Sequence, residues 1–228
     1  MLRAVAVAIV GGTGDLGFGL AVRLAAAGVE VVIGSRSTER AAQAAARVPE
    51  GTVRGGENAE AVSGAEVTFV TVPYEGQAEI YRSIRDRLSD GAVVCDTTTP
   101  LATAVGGRPT HVLRPWHGSA AEQAAAILGD GPRVVSGFHT VSAELLEDPS
   151  VDLDEDILLC GDDPEAKAQV GRLVERIPGL RWVDCGLLST ARILEPITAA
   201  LISVNRRYRV RGSGIRVTGR DGWGLPPS

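Results

Sequence analysis

An α/β fold built on a doubly wound parallel sheet is what this sequence predicts, on three observations. Short, β-branched apolar runs alternate along the chain with Ala- and Leu-rich segments of helical period, the pattern of a sheet covered by helices on both faces. The first run, residues 5–10, stops at Gly12-Thr13-Gly14-Asp15-Leu16-Gly17, a Gly-x-Gly-x-x-Gly spacing with a strand before it and a helical segment after it. The composition is that of an ordinary globular chain of 228 residues, 44% hydrophobic and 22% charged, long enough for one large domain or two small ones.

The glycine pattern has a mechanism in this setting. Gly12 permits the tight turn, Gly14 lets backbone approach a pyrophosphate, and Gly17 lets the helix over residues 16–27 lie close to the strand. The helix N-terminus then offers free N–H groups to the anion. These are the features of a Rossmann-type sheet. The second strand, residues 30–33, runs into Gly34-Ser35-Arg36-Ser37. A carboxylate at that strand's end would bind the ribose 2′-hydroxyl of NAD and repel a phosphate. No acid stands there. Ser35, Arg36 and Arg40 do, with Arg40 one helical turn beyond Arg36, and a guanidinium pair at this address suits the 2′-phosphate of NADP.

Further elements follow in order. Residues 38–48 read as the second helix, closed by Pro49, and Val53 marks a short third strand. Residues 67–72 form a strong fourth strand, so Val72 and Pro73 at its carboxyl end should border the cofactor. Helix 75–88 and strand 92–96 come next, then Thr97-Thr98-Thr99-Pro100, whose hydroxyls suit ribose or nicotinamide groups or simply a Thr-Pro loop. Residues 101–118 have no period and form a connection long enough to cover a site. Ser119 and Glu122 have capping-box spacing at the start of helix 119–128. Strand 134–136 leads into Gly137-Phe138-His139-Thr140-Val141-Ser142-Ala143. Residues 148–156 read as an exposed acidic loop. A smaller α/β lobe follows, with strand 157–160, helix 164–177, strand 182–184 and one long helix over 188–207. The expected organisation is a dinucleotide-binding domain over 1–135 and a C-terminal domain over 136–228, intimately packed.

Composition excludes several classes. No apolar run approaches the ~20 residues of a membrane span. No signal-peptide pattern precedes the first strand. Cys95, Cys160 and Cys185 lack metal spacing and read as buried, reduced thiols of a cytoplasmic protein, so no metal site is expected. A net charge of −5 argues against nucleic-acid binding. The average conceals an asymmetry: residues 205–220 hold six arginines and no acid, against 17 basic and 28 acidic residues elsewhere.

The chain resembles the coenzyme F420-dependent NADP oxidoreductases. The resemblance rests on residues 11–17, Gly34-Ser35-Arg36, Val135-Ser136-Gly137-Phe138-His139-Thr140, Cys160-Gly161-Asp162-Asp163, residues 184–189 and Gly212-Ser213-Gly214-Ile215-Arg216, in register over almost the whole sequence. It implies reversible hydride transfer between NADP(H) and the deazaflavin ring of F420, with the C-terminal lobe completing the cleft. By motif, Thr13, Gly14, Asp15 and Leu16 would hold the pyrophosphate, Ser35, Arg36 and Arg40 the 2′-phosphate, and Val72 the nicotinamide side. His139, Thr140, Val141 and Ala143 would border both rings, and Ser213 would lie near the deazaflavin. A homodimer is also implied.

Hydride transfer between two rings needs closeness, alignment and dryness more than an acid or base. That agrees with the three histidines of this chain and its want of a Ser-His-Asp set. On the residues alone His139 reads rather as a packed loop histidine than as a catalytic one; the resemblance reverses that order and makes it the candidate to position the ring or stabilise its charge. The arginines of 205–220 suit the anionic tail of F420 or, alternatively, a solvated helix end. Two other functions remain open at this stage: NADPH-dependent reduction of a flavin or other small acceptor, and a non-catalytic NADP(H)-sensing module.

Overall fold

A computed structural model describes residues 6–219 and 223–224. Its first half alternates strand and helix: β1 (Ala6–Val10), α1 (Asp15–Ala26), β2 (Glu30–Ser35), α2 (Thr38–Arg47), β3 (Val53–Glu57), α3 (Asn58–Ala61), β4 (Val67–Val70), α4 (Tyr74–Ile84) and β5 (Val93–Asp96). The second half comprises α5 (Ala120–Leu128), β6 (Arg133–Ser136), α6 (Ala143–Glu147), β7 (Glu155–Gly161), α7 (Pro164–Val174), β8 (Leu180–Asp184), α8 (Ala191–Leu194) and α9 (Ile197–Tyr208). Among the described residues the strands form one sheet in the order β3-β2-β1-β4-β5-β6-β7-β8. Every pairing is parallel except β6 with β7. The order reverses between β1 and β4, the crevice where open α/β sheets receive their ligands. Because β7 pairs with β6, the sheet runs without interruption through the position expected to divide the chain at residues 135 and 136.

Alternation along each strand supplies two cores. In β1, Val7 and Ile9 pack on one face of the sheet with Leu20 and Leu24 of α1. Ala8 and Val10 pack on the other with Val62, Tyr81 and Ile84. This is why the strands read as continuous apolar runs. Each buried Val, Leu or Ile side chain contributes roughly 1.5–3 kcal/mol.

Helix α1 is buried from Gly17 through Ala25, because α6 covers its outer face. Gly19 makes that approach possible: a Cβ there would stand 2.7 Å from the Cβ of Leu146. Arg23, also on α1, donates to the carbonyls of Leu145, Leu146, Asp148, Pro149 and Val151, and so fixes the chain beyond α6.

Several boundaries differ from the sequence expectation. The long helix over 188–207 is a 3-10 turn, α8 and α9 in succession, broken at Glu195-Pro196. Pro196 has no N–H to continue the ladder. Glu195 there turns inward and accepts the N–H groups of Ala120 and Ala121 at 2.9 and 3.0 Å. The helix expected over 75–88 ends at Ile84 and tightens into a 3-10 turn over Arg85–Arg87. The acidic loop ends two residues early: Glu155 and Asp156 belong to β7 and are buried. Asp156 is held by a bidentate pair with Arg181 at 2.7 and 2.8 Å, and it accepts the N–H of Val217 at 2.6 Å. Cys95 and Cys160 are buried free thiols, whereas Cys185 is only half-buried. Burial pushes the Cys160 thiol up to about 12, so it is inert at neutral pH.

Candidate active site

The carboxyl ends of β1, β2 and β4 enclose a cavity of about 630 Å³, within the range of small-molecule sites. Thr13, Gly14, Ser35, Arg36, Arg40, Val72 and Pro73, seven of the expected residues, line it. Gly11, Ser37, Asn58, Thr71, Glu75 and Glu79 contribute as well.

The three glycines of the motif divide their work. A Cβ on Gly12 would stand 2.8 Å from the Ile9 carbonyl, and one on Gly17 would stand 2.7 Å from the Gly12 Cα. Both positions are closed to any side chain, so they set the turn and seat the helix. A Cβ on Gly14 would have the Gly11 carbonyl, 3.5 Å away, as its nearest neighbour, so this residue faces open space on the cavity side. Gly14 also caps α1 without a side-chain hydrogen bond, and the first-turn N–H groups of Asp15, Leu16 and Gly17 have no intrahelical acceptor. Free donors at the positive end of the helix beside open space make an anion seat.

At the opposite rim, β2 ends at Ser35, and Ser37 caps α2 by accepting the Arg40 N–H at 3.3 Å. That cap fixes the start of α2, which puts Arg36 before it and Arg40 in its first turn on one cavity wall. Two guanidinium groups and two hydroxyls on this wall match a phosphate monoester.

The remaining expected residues form a seam leading away from the cavity. The Thr98 hydroxyl lies 3.4 Å from the Val72 carbonyl and 3.3 Å from Asp96 Oδ2. Thr97 does not present its hydroxyl to the cavity; it donates to the Val70 carbonyl at 3.0 Å. Behind this loop Asp96 is fully buried, accepting from Tyr81 at 2.6 Å and Gln77 at 2.8 Å. Burial raises its carboxyl to about 6, against the opposing pull of the bonds from Tyr81, Gln77 and Thr98.

His139 stands next along the seam. It is 7% exposed, and its Nε2 lies 2.9 Å from the Ser136 hydroxyl. Its Nδ1 makes no hydrogen bond of normal geometry, although the Thr97 backbone stands beside the ring. Burial lowers the imidazole to about 4, with the Thr97 backbone opposing, so the ring is neutral at physiological pH. Thr140 and Val141 are buried and Ala143 begins α6. The Thr198 hydroxyl, on α9, donates to the His139 carbonyl at 2.7 Å and holds the loop from outside.

The C-terminal segment reaches the same loop. A Cβ on Gly212 would stand 3.3 Å from the Ser142 Cβ, and Ser213 is tied to α9 by its hydroxyl and N–H, both donating to Asn205 Oδ1. Ser213 therefore stands on the segment that packs against Ser142, one residue before α6. The basic segment is less free than its charge suggested. Arg211 pairs with Glu144 at 2.9 Å and Arg216 pairs with Asp154, while Arg220 lies outside the described residues.

Asn58 and the Asp96 cluster were not anticipated from sequence. Strand β3, Val-Arg-Gly-Gly-Glu, carries one apolar residue and offers no pattern from which to place its end. Asp96 reads from the sequence only as the close of a strand, since its partners Gln77 and Tyr81 lie on another element.

Fold and site together define a protein of the Rossmann class, with a cavity at the carboxyl ends of β1, β2 and β4. The family model described as "NADP oxidoreductase coenzyme F420-dependent" matches residues 6–100. The F420-dependent NADP reductase of Methanothermobacter thermautotrophicus is 43% identical over 219 residues, 93% of this chain and 94% of that protein. The enzyme of the same name from Methanocaldococcus jannaschii is 41% identical over 93% of this chain and 97% of its own. A crystal structure from Arthrobacter sp. FB24, provisionally described as an F420-dependent NADP reductase, superposes with a TM-score of 0.80 over 95% of this chain and 100% of that one. At 24% identity that likeness speaks to the fold. The chain belongs to the F420-dependent NADP reductase family.

Proposed function

We propose that this protein catalyses reversible hydride transfer between NADP(H) and the deazaflavin coenzyme F420. The observation that carries the reading is kinship of 43% identity spanning 93% of the chain, which includes both the arginine wall and the His139 loop. The residues fit the cofactor: a side-chain-free seat at Gly14 for a pyrophosphate, Arg36 and Arg40 for a 2′-phosphate, and Val72 at the nicotinamide side. The bound pair would supply hydride donor and acceptor. This chain's residues would bring the two rings together and exclude water, which accounts for most of what such a reaction needs from protein. A neutral His139, fixed by Ser136 and Thr198, serves as a positioning group rather than a cation or a proton source.

We read residues 136–228 as completing the deazaflavin side of the cleft, with Thr140, Val141, Ala143 and Ser213 along it. A homodimer in the cytoplasm fits this reading. Ile193 in α8 and Tyr208 at the end of α9 are 69% and 70% exposed, and three free thiols suit a reducing compartment. Among the described residues no helix is long and apolar enough to cross a membrane.

One observation favours a second reading. With Arg211 and Arg216 already paired to acids, fewer cations remain for an anionic tail, which suits reduction of a smaller flavin-like acceptor. Purified protein mixed with NADPH and either F420 or riboflavin separates the two. Selective bleaching of the oxidised deazaflavin band supports F420; bleaching of riboflavin alone supports the smaller acceptor. NADPH binding without either change points to a sensor.

A further inference from the structure

We propose that Asn58 is a specificity-determining residue of the cofactor site, its carboxamide donating to the 2′-phosphate at the Arg36 end. The inference rests on the NADP reading above. Asn58 is 5% exposed yet lines the cavity. Its Oδ1 is buried and accepts no hydrogen bond. An asparagine sealed in this way, with neither end hydrogen-bonded among the described residues, departs from the rule that buried polar groups are paired. Oδ1 is packed against Gly34, so the end of the carboxamide that a ligand can meet is the amide nitrogen.

Position identifies which part of the ligand. In the sheet Ser35 pairs in register with Glu57, so Asn58, the next residue, stands beside Arg36 at the carboxyl ends of adjacent strands. Gly34 provides the room: a Cβ there would meet Asn58 Oδ1 at 2.9 Å, so any larger residue would push the carboxamide away. With the oxygen packed over Gly34, the amide nitrogen is the end left to the cavity, and it makes no hydrogen bond within the described protein. A neutral donor at this point adds a directional bond to the two guanidinium charges. An acid there would repel phosphate, as the carboxylate of NAD-specific sites does.

The test compares Asn58→Asp and Asn58→Ala with the natural protein in titrations of 2′,5′-ADP and 5′-AMP, followed by calorimetry, with thermal melting as a check on folding. Asn58→Asp keeps the shape and inverts the electrostatics. It should weaken 2′,5′-ADP by about tenfold or more while 5′-AMP changes by no more than about twofold, the asymmetry expected for an interaction with a charged partner. Asn58→Ala should show the same preference with a smaller loss. If both nucleotides weaken equally, or neither does, Asn58 is a packing residue and the proposal falls. If the natural protein itself does not prefer 2′,5′-ADP over 5′-AMP, the NADP reading fails first, and that result is distinguishable from the other two.

Discussion

The imidazole Nε2 of His139 and the hydroxyl of Ser136 lie 2.9 Å apart at the buried carboxyl end of β6, beside the loop that leads into α6. Burial holds this histidine at about 4 in the folded chain, below its ordinary value of 6.5. The unfolded chain therefore binds more protons between those limits. No penalty applies above 6.5, and stability is lost as pH falls from 6.5 toward 4. The loss should reach roughly 2–4 kcal/mol at the acid limit. Denaturant unfolding of the natural protein and His139→Gln across that range should show a steeper acid slope for the former. Parallel slopes would mean that the ring is solvated.

Arg36→Ala should separate the two nicotinamide cofactors. Only NADPH carries the phosphate that this guanidinium can meet, and a charged hydrogen bond contributes ~1.5–3 kcal/mol, roughly ten- to a hundredfold in affinity. Fluorescence titration should show that loss for NADPH with NADH nearly unchanged. Equal losses would make Arg36 a support for the fold.

Gly14 and Gly17 should fail in different ways. Gly17→Ala places a Cβ 2.7 Å from the Gly12 Cα and should lower the melting temperature, since overpacking typically costs about 1–3 kcal/mol. Gly14→Val meets open space in the free protein, so it should fold normally and lose NADPH binding. A Gly14→Val protein that binds NADPH unimpaired would contradict the pyrophosphate seat.

The C-terminal arginines should act through charge. Arg206 and Arg207 are exposed on the last turn of α9, unlike Arg211 and Arg216, which are paired with acids. Replacing both with Ser should raise KM for F420 at low salt with kcat nearly kept, and the effect should fade as salt screens exposed charges over ~8–10 Å. A KM indifferent to salt in both proteins would leave these residues as a solvated helix end.

What could be read from the sequence was local. The strand-glycine-helix unit at 5–27 and the arginines after β2 are contiguous in the chain, and each carries its own chemical logic, so the cavity wall was legible there. Elements defined by distant partners were not. The break at Glu195 depends on N–H groups some 75 residues away, and the burial of Asp156 depends on Arg181 and on the strap at Val217. A run of acids reads as solvent-exposed until the guanidinium that neutralises one of them is in view. Asn58 escaped for a related reason: its meaning lies in register with Ser35, which only the sheet supplies.

Direct transfer between the two rings is the central claim, and isotope labelling tests it most directly. NADPH deuterated at nicotinamide C4, prepared separately on each face, would be incubated with the protein and oxidised F420 in ordinary water. The account predicts that one of the two labelled faces delivers its deuterium to C5 of the reduced deazaflavin with little dilution by solvent, as read by mass spectrometry. Reduced F420 carrying only solvent hydrogen from either label, or no reduction at all, would contradict it.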